Sequence, residues 1–480
     1  MFSDKTVPNC SCNWISPGAL FGRTTLIAQA FGLFACLVVL LAPALWNGYA
    51  LIFYDTAGYA ETVMMQRLVP GRSLFYGLFL WISSLGWWSF WSTILVQAAA
   101  TLWLLHLCLR SLRLPSGAFP LLIAVVALGG LTGTPWYTSQ LMPDIFIPLV
   151  VLALWLLGFH WSELRGVERI GLVLISLLGV LVHMSCLALA MGLAVVTVLA
   201  RILLRQWGLT VHWLPSCSVV LLALILMPLT HLVLTGKAGY TPGGSSFLFG
   251  RLVQDGVIKR YLTDHCPQEG GQLCGLQDRL PATADDFLWT GQSPFQNLGG
   301  WQEAGPELTQ LTLAAVRAYP GMTLWTTVRS TAEQLITVAT GDVLDEGHYD
   351  ARAFFITFTP HIAGPFSEAR QQQEELSRSL FDRLNLIHVP VALAAVGGLL
   401  PMVVWSVRCR RFDLAVLALF VLVALMGNAF ICGALSNPHD RYQSRLVWLA
   451  PLVVGLGIVI CRNRWQPIHA PGSSSLPRRS

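Results

Sequence analysis

Residues 170–200, IGLVLISLLGVLVHMSCLALAMGLAVVTVLA, lie between Arg169 and Arg201 and contain no Asp, Glu, Lys or Arg. A helix needs about 20 apolar residues to cross the hydrocarbon core of a membrane, so this run is long for one span and short for two. His183 lies near its middle and favours a tight turn there, which predicts two short spans, 170–183 and 184–203. The run therefore indicates a helical membrane protein.

The composition of the whole chain agrees with burial in lipid. Of its 480 residues, 54% are hydrophobic and 11% are charged, and the mean hydropathy is +0.60. Soluble proteins carry about 25% charged residues. The net charge of +5 is dispersed in short basic clusters between apolar runs, so it indicates membrane topology and no nucleic-acid partner. We expect an all-α polytopic membrane protein with about ten transmembrane helices. The candidate spans are 26–46, 89–109, 118–133, 141–159, 170–183, 184–203, 213–235, 386–406, 412–432 and 446–462.

The basic clusters also predict the orientation of the chain. With ten spans, every cluster between Arg23 and Arg464 falls on the same side, which the positive-inside rule makes cytoplasmic. The first apolar run has no small-residue cleavage site, so we expect a retained signal anchor. The predicted organisation is a cytoplasmic tail (1–25), a bundle of about seven spans (26–235) with an external loop at 47–88, a mainly helical extracytoplasmic domain (236–385), three C-terminal spans (386–462) and a cytoplasmic tail (463–480).

The sequence contains two close pairs of cysteines, and we predict a different role for each pair. Cys266 and Cys274 lie in the polar segment HCPQEGGQLC of the predicted external domain. An oxidising compartment would make them a disulfide, and the alternative is two free cysteines in a flexible segment. Cys10 and Cys12 form a lone C-x-C pair without a partner cluster and predict no metal site.

Two carboxylates are candidates for chemistry at the membrane surface. Asp55, in FYDTAGY, follows the first span and is the candidate general base, with Arg72 in the same loop as a substrate-binding candidate. The alternative is that Asp55 caps a helix beginning at Thr56. Asp144 lies inside the fourth apolar run, where a charge is costly and indicates function. The alternative is that Asp144 lies in the first turn of a helix that begins at Pro143, where the positive end of the helix dipole stabilises an acidic side chain.

The last external loop, SNPHDRYQSRLVWLAPL, offers further binding residues. Arg441 and Arg445 are four residues apart and share a face if the tenth helix begins early, an arrangement that suits a phosphate group. The alternative is a pair that anchors the chain to lipid headgroups. His439 and Asp440 precede them, and His183 in the predicted external turn is either a ligand-binding residue or a satisfied interface histidine.

Topology places all these candidates on one face of the membrane, and the whole pattern resembles the GT-C superfamily of glycosyltransferases that use polyprenyl-phosphate sugars. The similarity lies in the many-helix bundle, the acid of FYDTAGY, an uncharged aromatic segment (74–88) that is predicted to lie in the headgroup layer, the paired short spans, the external domain and the final HDRYQSR loop. The external domain itself is more similar to uncharacterised bacterial membrane proteins. The expected location is therefore a bacterial cytoplasmic (inner) membrane, with the large loop periplasmic.

The resemblance implies roles for individual residues. Asp55 would take the proton of an acceptor hydroxyl that belongs to a glycan, lipid or protein, while Arg441 and Arg445 would stabilise the departing lipid phosphate. Asp144 would orient the acceptor or hold a divalent cation. Better-defined members carry an acidic pair in this loop, whereas Asp144 stands alone before Ile145. Two other classes stay open, a polysaccharide or lipid transporter (flippase) and a non-enzymatic scaffold of envelope assembly.

Overall fold

The computed structural model describes residues 25–465 except 204, 206–209, 237, 241–243 and 347, and only the backbone of residues 463–465. The described chain is 77% helical and contains no β-strand, which confirms the all-α prediction. The predicted cytoplasmic tails, together with Cys10 and Cys12, lie outside the described residues except where the tails meet the first and last helices.

The first part of the chain breaks into helices close to the predicted positions. The apolar run at 26–46 forms two helices instead of one, because the chain breaks at Leu41 and a new helix begins at Ala42 with Pro43 in its first turn. The long run at 170–200 breaks at His183, as predicted. The helices are α1 (Leu26–Leu40), α2 (Ala42–Asn47), α3 (Thr56–Met64), α4 (Leu74–Ser83), α5 (Phe90–Ser111), α6 (Ala118–Leu131), α7 (Thr134–Thr138), α8 (Phe146–Phe159), α9 (Gly166–Val182), α10 (Met184–Leu203) and α11 (Leu214–Thr235).

The second part contains many short helices before the C-terminal spans. They are α12 (Gly244–Gln254), α13 (Val257–His265), α14 (Ala284–Trp289), α15 (Pro294–Asn297), α16 (Gly300–Glu303), α17 (Gly305–Ala318), α18 (Pro320–Ile336), α19 (Tyr349–Phe358) and α20 (Ala363–Ser367), followed by α21 (Arg378–Arg408), α22 (Phe412–Ala429), α23 (Asp440–Val447) and α24 (Leu449–Trp465). Short 3-10 turns occur at Pro143–Ile145, Trp161–Glu163, Gly271–Arg279 and Pro360–Ile362, and a π-helical turn, Phe430–Ala434, extends α22.

Six helices of the described chain are long and apolar enough to cross a membrane: α5, α10, α11, α21, α22 with its π-helical turn, and the joined α23–α24 segment Asp440–Arg462. Shorter apolar helices are α1, α4, α6 and Pro143–Phe159. The aliphatic residues Leu221, Ile225 and Val233 of α11 are exposed, as expected for a surface that lipid covers. The structure thus agrees with a multi-pass membrane protein, and the count of about ten spans and the sidedness stay predictions.

Helix α8 is the centre of the bundle. Every residue from Phe146 to Gly158 is buried, and the helix packs against α5, α9, α10, α11 and α22. A helix that is apolar on all sides has to be enclosed by other helices or by lipid, and here other helices enclose it. Asp144 lies two residues before Phe146, where α8 begins, so its carboxylate is held inside the bundle at one end of α8.

Residues 244–319, here called the small domain, have a hydrophobic core of their own. Phe249, Ile258, Phe287 and Phe295 are fully buried in it, and the core is separate from that of the helix bundle. Cys266 and Cys274 are joined by a disulfide within the small domain. That this domain lies outside the cytoplasm stays a prediction.

Candidate functional site

Backbone pairing between two distant loops brings the first candidate carboxylate toward the second. The amide of Leu51 donates to the carbonyl of Ser139 at 3.0 Å, and the amide of Leu141 donates to the carbonyl of Leu51 at 2.8 Å. The hydroxyl of Thr56 donates to the carbonyl of Leu141 at 3.1 Å. The start of α3, with Asp55 directly before it, is therefore fixed against the segment that leads to Asp144.

The side chain of Asp55 does not cap α3. Asp55 is the residue before the helix, yet its carboxylate makes no capping hydrogen bond. Oδ1 instead accepts a hydrogen bond from Nη2 of Arg72, and Oδ2 lies 3.6 Å from Nη2 of Arg441. Of the two interpretations of Asp55, helix cap or site residue, its contacts favour the site residue.

Asp144 and Arg445 form an ion pair that is enclosed on all sides, since they are 1% and 0% exposed. Nη1 of Arg445 donates to Oδ1 of Asp144 at 2.9 Å and lies 3.3 Å from Nε2 of His183. Nη2 of Arg445 donates to Oγ of Ser185 at 3.2 Å and to Sγ of Cys432 at 3.4 Å. This network joins the start of α8, the break between α9 and α10, and the π-helical turn.

Arg441 lies one helical turn before Arg445 and contacts both carboxylates. Its Nε is 3.7 Å from Oδ1 of Asp144, its Nη2 is 3.6 Å from Oδ2 of Asp55, and its guanidinium lies over the ring of Phe53, 4.1 Å from the centroid. Nη1 of Arg441 is buried and has no hydrogen-bond partner. An unsatisfied buried donor is costly, so the protein contacts of Arg441 leave part of its donor capacity unused.

The group consists of three guanidiniums, those of Arg72, Arg441 and Arg445, around two carboxylates, those of Asp55 and Asp144. We call these five side chains the charged cluster. Three cations against two anions leave one positive charge in a largely buried setting, where charge is poorly screened. The charged cluster therefore favours a bound anion at Arg72 and Arg441, while the carboxylate of Asp342, which accepts from the amide of Arg441 at 3.0 Å, lies outside the cluster.

The charged cluster borders a cavity of about 1040 Å³. Asp55, Arg72 and Arg441 lie in its wall, whereas Asp144 and Arg445 lie behind the wall. The apolar part of the wall comes from candidate spans and the π-helical turn, and another part comes from the small domain. Apolar wall residues are Met184, Ala188, Met227, Ile431 and Leu435, and wall residues of the small domain are Gly244, Phe247, Leu248, Asp285 and Trp289.

His439 and Asp440, both predicted to bind substrate, have different positions. His439 lines the cavity and its Nε2 lies 3.3 Å from Oδ2 of Asp285, so it connects the small domain to the helix that carries Arg441. Asp440 is not part of the cavity wall, and its Oδ1 accepts from the amide of Ala339 at 2.6 Å. Its position indicates that it holds the start of α23 in place.

The His439–Asp285 pair should make stability depend on pH. Burial lowers the pKa of His439, but Asp285 and Asp342 outweigh this effect, so the pKa lies above its usual value. A raised pKa means that the contribution is complete below about pH 6.5, the unfolded value, and is lost as the pH rises through the folded value. The hydrogen bond from His439 lowers the pKa of Asp285, so the contribution of Asp285 is lost on acidification.

We therefore expect the melting temperature of the wild type to fall relative to that of His439→Gln between about pH 6 and pH 8. The fall should be at most about 1 °C, since half-exposed pairs contribute under about 1 kcal/mol and the unfolding entropy of a chain of this length is large. Thermal unfolding in detergent across this range measures it. Parallel curves for the two proteins would contradict the role of the pair.

The predicted divalent cation does not fit the residues at Asp144. The neighbours of its carboxylate are the guanidiniums of Arg441 and Arg445, which repel a cation. Within the part of the chain that the structure describes, no group of three or more His, Cys, Asp and Glu side chains could hold a metal ion.

No family model, curated relative or solved structure matches this chain.

Several residues at the cavity were not predicted from the sequence. Phe53, Cys432, Asp285, Asp342 and Trp289 lie in its wall. Phe53 adjoins FYDTAGY and could have been included as a neighbour of Asp55. Asp285 and Trp289 belong to DDFLWTGQSPF, whose short helix α14 gives no sign in the sequence that it faces the membrane bundle.

Proposed function

We propose that this protein is a membrane glycosyltransferase that transfers a sugar from a polyprenyl-phosphate donor to an acceptor at the outer face of a bacterial cytoplasmic membrane. One observation carries the proposal: the guanidinium of Arg441, with a buried and unpartnered Nη1, lies in the wall of a large cavity whose charged cluster has one excess positive charge. A phosphate monoester or diester supplies the acceptor oxygens that such a site requires.

The apolar wall supports a lipid-linked anion over a free one. Met184 and Ala188 belong to α10, Met227 belongs to α11, and Ile431 and Leu435 lie in and directly after the π-helical turn of α22. Three candidate spans thus supply an apolar surface next to the arginines. A phosphate at Arg441 could place its polyprenyl chain along this surface, which is as apolar as the surrounding lipid.

In the proposed transfer reaction, each member of the charged cluster that lies in the cavity wall has one task. Oδ2 of Asp55 takes the proton from the acceptor hydroxyl, and the hydroxyl oxygen forms a bond to the anomeric carbon of the sugar. The bond between that carbon and the phosphate oxygen breaks, and its electron pair leaves with the polyprenyl phosphate. Arg441 and Arg72 stabilise the negative charge that develops on this leaving group.

The enclosed residues have a supporting task. Asp144 is hydrogen-bonded to Arg445 and lies 3.7 Å from Arg441, so it holds Arg441 from the side away from the cavity. His183 and Ser185 fix Arg445 in turn. We assign Arg445 and Asp144 to positioning because they lie behind the cavity wall. His183 lies in the wall, and we assign it to positioning through its contact with Arg445.

Reconstituted full-length protein tests the proposal. Proteoliposomes receive a panel of polyprenyl phosphates that carry radiolabelled sugars, together with a mixture of envelope lipids, glycans and proteins as acceptors. We expect label to pass to an acceptor as free polyprenyl phosphate accumulates. Intact donor that moves to the opposite leaflet without transfer would overturn the proposal in favour of a flippase, and intact donor that stays in its leaflet across the whole panel would overturn it in favour of a scaffold.

A further inference from the structure

An aromatic surface of the small domain forms part of the cavity wall. Phe247 and Trp289 line the cavity, and Trp301 contacts both, with ring centroids 5.4 Å from Phe247 and 5.1 Å from Trp289. Trp301 also packs edge-on against the buried ring of Phe295, with centroids 5.0 Å apart. The core of the small domain thus holds this aromatic surface in place. Trp289 is nevertheless 50% exposed, an unusual state for so large an apolar side chain.

One carboxylate lies beside this aromatic surface, and two more lie elsewhere in the cavity wall. Asp285, one turn before Trp289 on α14, lies in the cavity wall, as do Asp342 and Asp350. Asn437 donates to Oδ2 of Asp285 at 2.9 Å, and 46% of the Asp285 side chain stays exposed. Ionised carboxylates accept hydrogen bonds and repel anions, so this part of the cavity favours a ligand rich in hydroxyl donors and disfavours a phosphate or a nucleotide.

Arg72 connects the two parts of the cavity. Its guanidinium donates to Asp55 and lies 5.9 Å from the centroid of the Trp289 ring. The aromatic surface is therefore one side chain away from the carboxylate that the proposed function assigns to proton transfer. A ligand on Trp289 would present its hydroxyl groups toward Asp55.

We infer that Phe247, Trp289 and Asp285 form a carbohydrate-binding subsite, and that the acceptor is a glycan. The apolar face of a sugar ring stacks on the indole, and its hydroxyls donate to Asp285. The acceptor assignment rests on the proposed function, and the subsite itself does not. The small domain contributes these residues and the candidate spans contribute the apolar wall, so a glycan and a lipid-linked donor have separate binding surfaces in one cavity of about 1040 Å³.

Glycan binding by the full-length protein in lipid nanodiscs, without any donor, tests the inference. A glycan array of neutral and amino-sugar oligosaccharides serves as probe, followed by titration of the bound oligosaccharides. We expect Trp289→Ala to weaken binding about tenfold, the effect of losing one aromatic contact. Trp289→Phe keeps an aromatic face and should stay within about threefold of the wild type. Trp325→Ala, at a tryptophan that is 68% exposed on α18 and is not part of the cavity wall, is the matched control.

Three results would overturn the inference: no oligosaccharide on the array binds, Trp289→Ala binds as well as the wild type, or anionic nucleotides bind better than neutral glycans. Its failure is distinguishable from failure of the proposed function. Sugar transfer to a lipid or protein without glycan binding leaves the proposed function intact and removes the subsite. Glycan binding without sugar transfer would support the carbohydrate-binding subsite. It would contradict the proposed glycosyltransferase function and the assignment of the glycan as acceptor.

Discussion

Replacement of Arg441 by Gln should lower the rate of sugar transfer by about 10²–10³-fold, the usual effect of removing a fixed donor that stabilises transition-state charge. The glutamine removes the positive charge and the fork of N–H donors at the cavity wall, including the unpartnered Nη1. The charged cluster would then hold two cations against two anions, so it would no longer favour a phosphate. Initial rates of transfer in proteoliposomes, at saturating and limiting donor, measure the change.

Arg67→Gln is the matched control for this variant. Arg67 belongs to the same loop as Arg72, its side chain is 68% exposed, and it pairs with Glu61 outside the charged cluster. The exposed pair contributes little to stability, so the control should keep the rate of the wild type within about twofold. An Arg441→Gln variant that is folded and transfers sugar at the rate of the control would contradict the assignment of Arg441 to the phosphate.

Replacement of Asp144 by Leu should lower the free energy of unfolding by about 3–5 kcal/mol, because it leaves the guanidinium of Arg445 buried without its counterion. Arg445 is 0% exposed and cannot reach water to regain its lost hydrogen bond. Denaturation in mixed micelles, with the wild type in parallel, measures the loss. The effect should exceed that of any exposed charge, such as Arg67.

The double variant Asp144→Leu with Arg445→Met separates a buried unpaired charge from simple loss of packing. Replacing both partners by apolar side chains of similar size is often nearly neutral, so the double variant should recover most of the lost stability, to within about 1–2 kcal/mol of the wild type. A double variant that is less stable than Asp144→Leu alone would show that the ion pair is not the reason for the effect.

The helices of this chain were largely predictable because hydrophobic length is a local property. The predicted span 89–109 corresponds to Phe90–Ser111, and the break at His183 separates α9 from α10. Predictions failed where tertiary packing or proline decided the bounds. The run at 26–46 forms two helices, whereas the predicted span 386–406 lies within one longer helix, Arg378–Arg408, that continues through Pro390 and Pro401.

Part of the candidate site was predictable for a different reason. Charges at the ends of apolar runs are costly without partners, which pointed to Asp55, Asp144, Arg441 and Arg445, and the structure brings these four residues together. The i, i+4 spacing of the two arginines indicated a shared helix face. It could not show that Arg445 is enclosed while Arg441 reaches the cavity, since that depends on how α23 packs against α8.

The remaining part of the site depends on contacts between distant segments. The pairing of Leu51 with Ser139 and Leu141, and the docking of Asp285 on His439, join segments far apart in the sequence. Nothing in the local pattern of either partner indicates the other. The wall that the small domain contributes, including Trp289, therefore had no signal in the sequence.

The central claim is that Asp55 takes the proton of the acceptor hydroxyl while a lipid phosphate leaves from Arg441. The most direct test compares wild type with an equally expressed Asp55→Asn variant, measuring sugar transfer from radiolabelled polyprenyl-phosphate donors and, separately, donor binding. Asparagine keeps the shape of the side chain and removes its capacity to accept the proton. We expect transfer to be lost in the variant while the donor still binds. Transfer by the variant at the rate of the wild type would contradict the account.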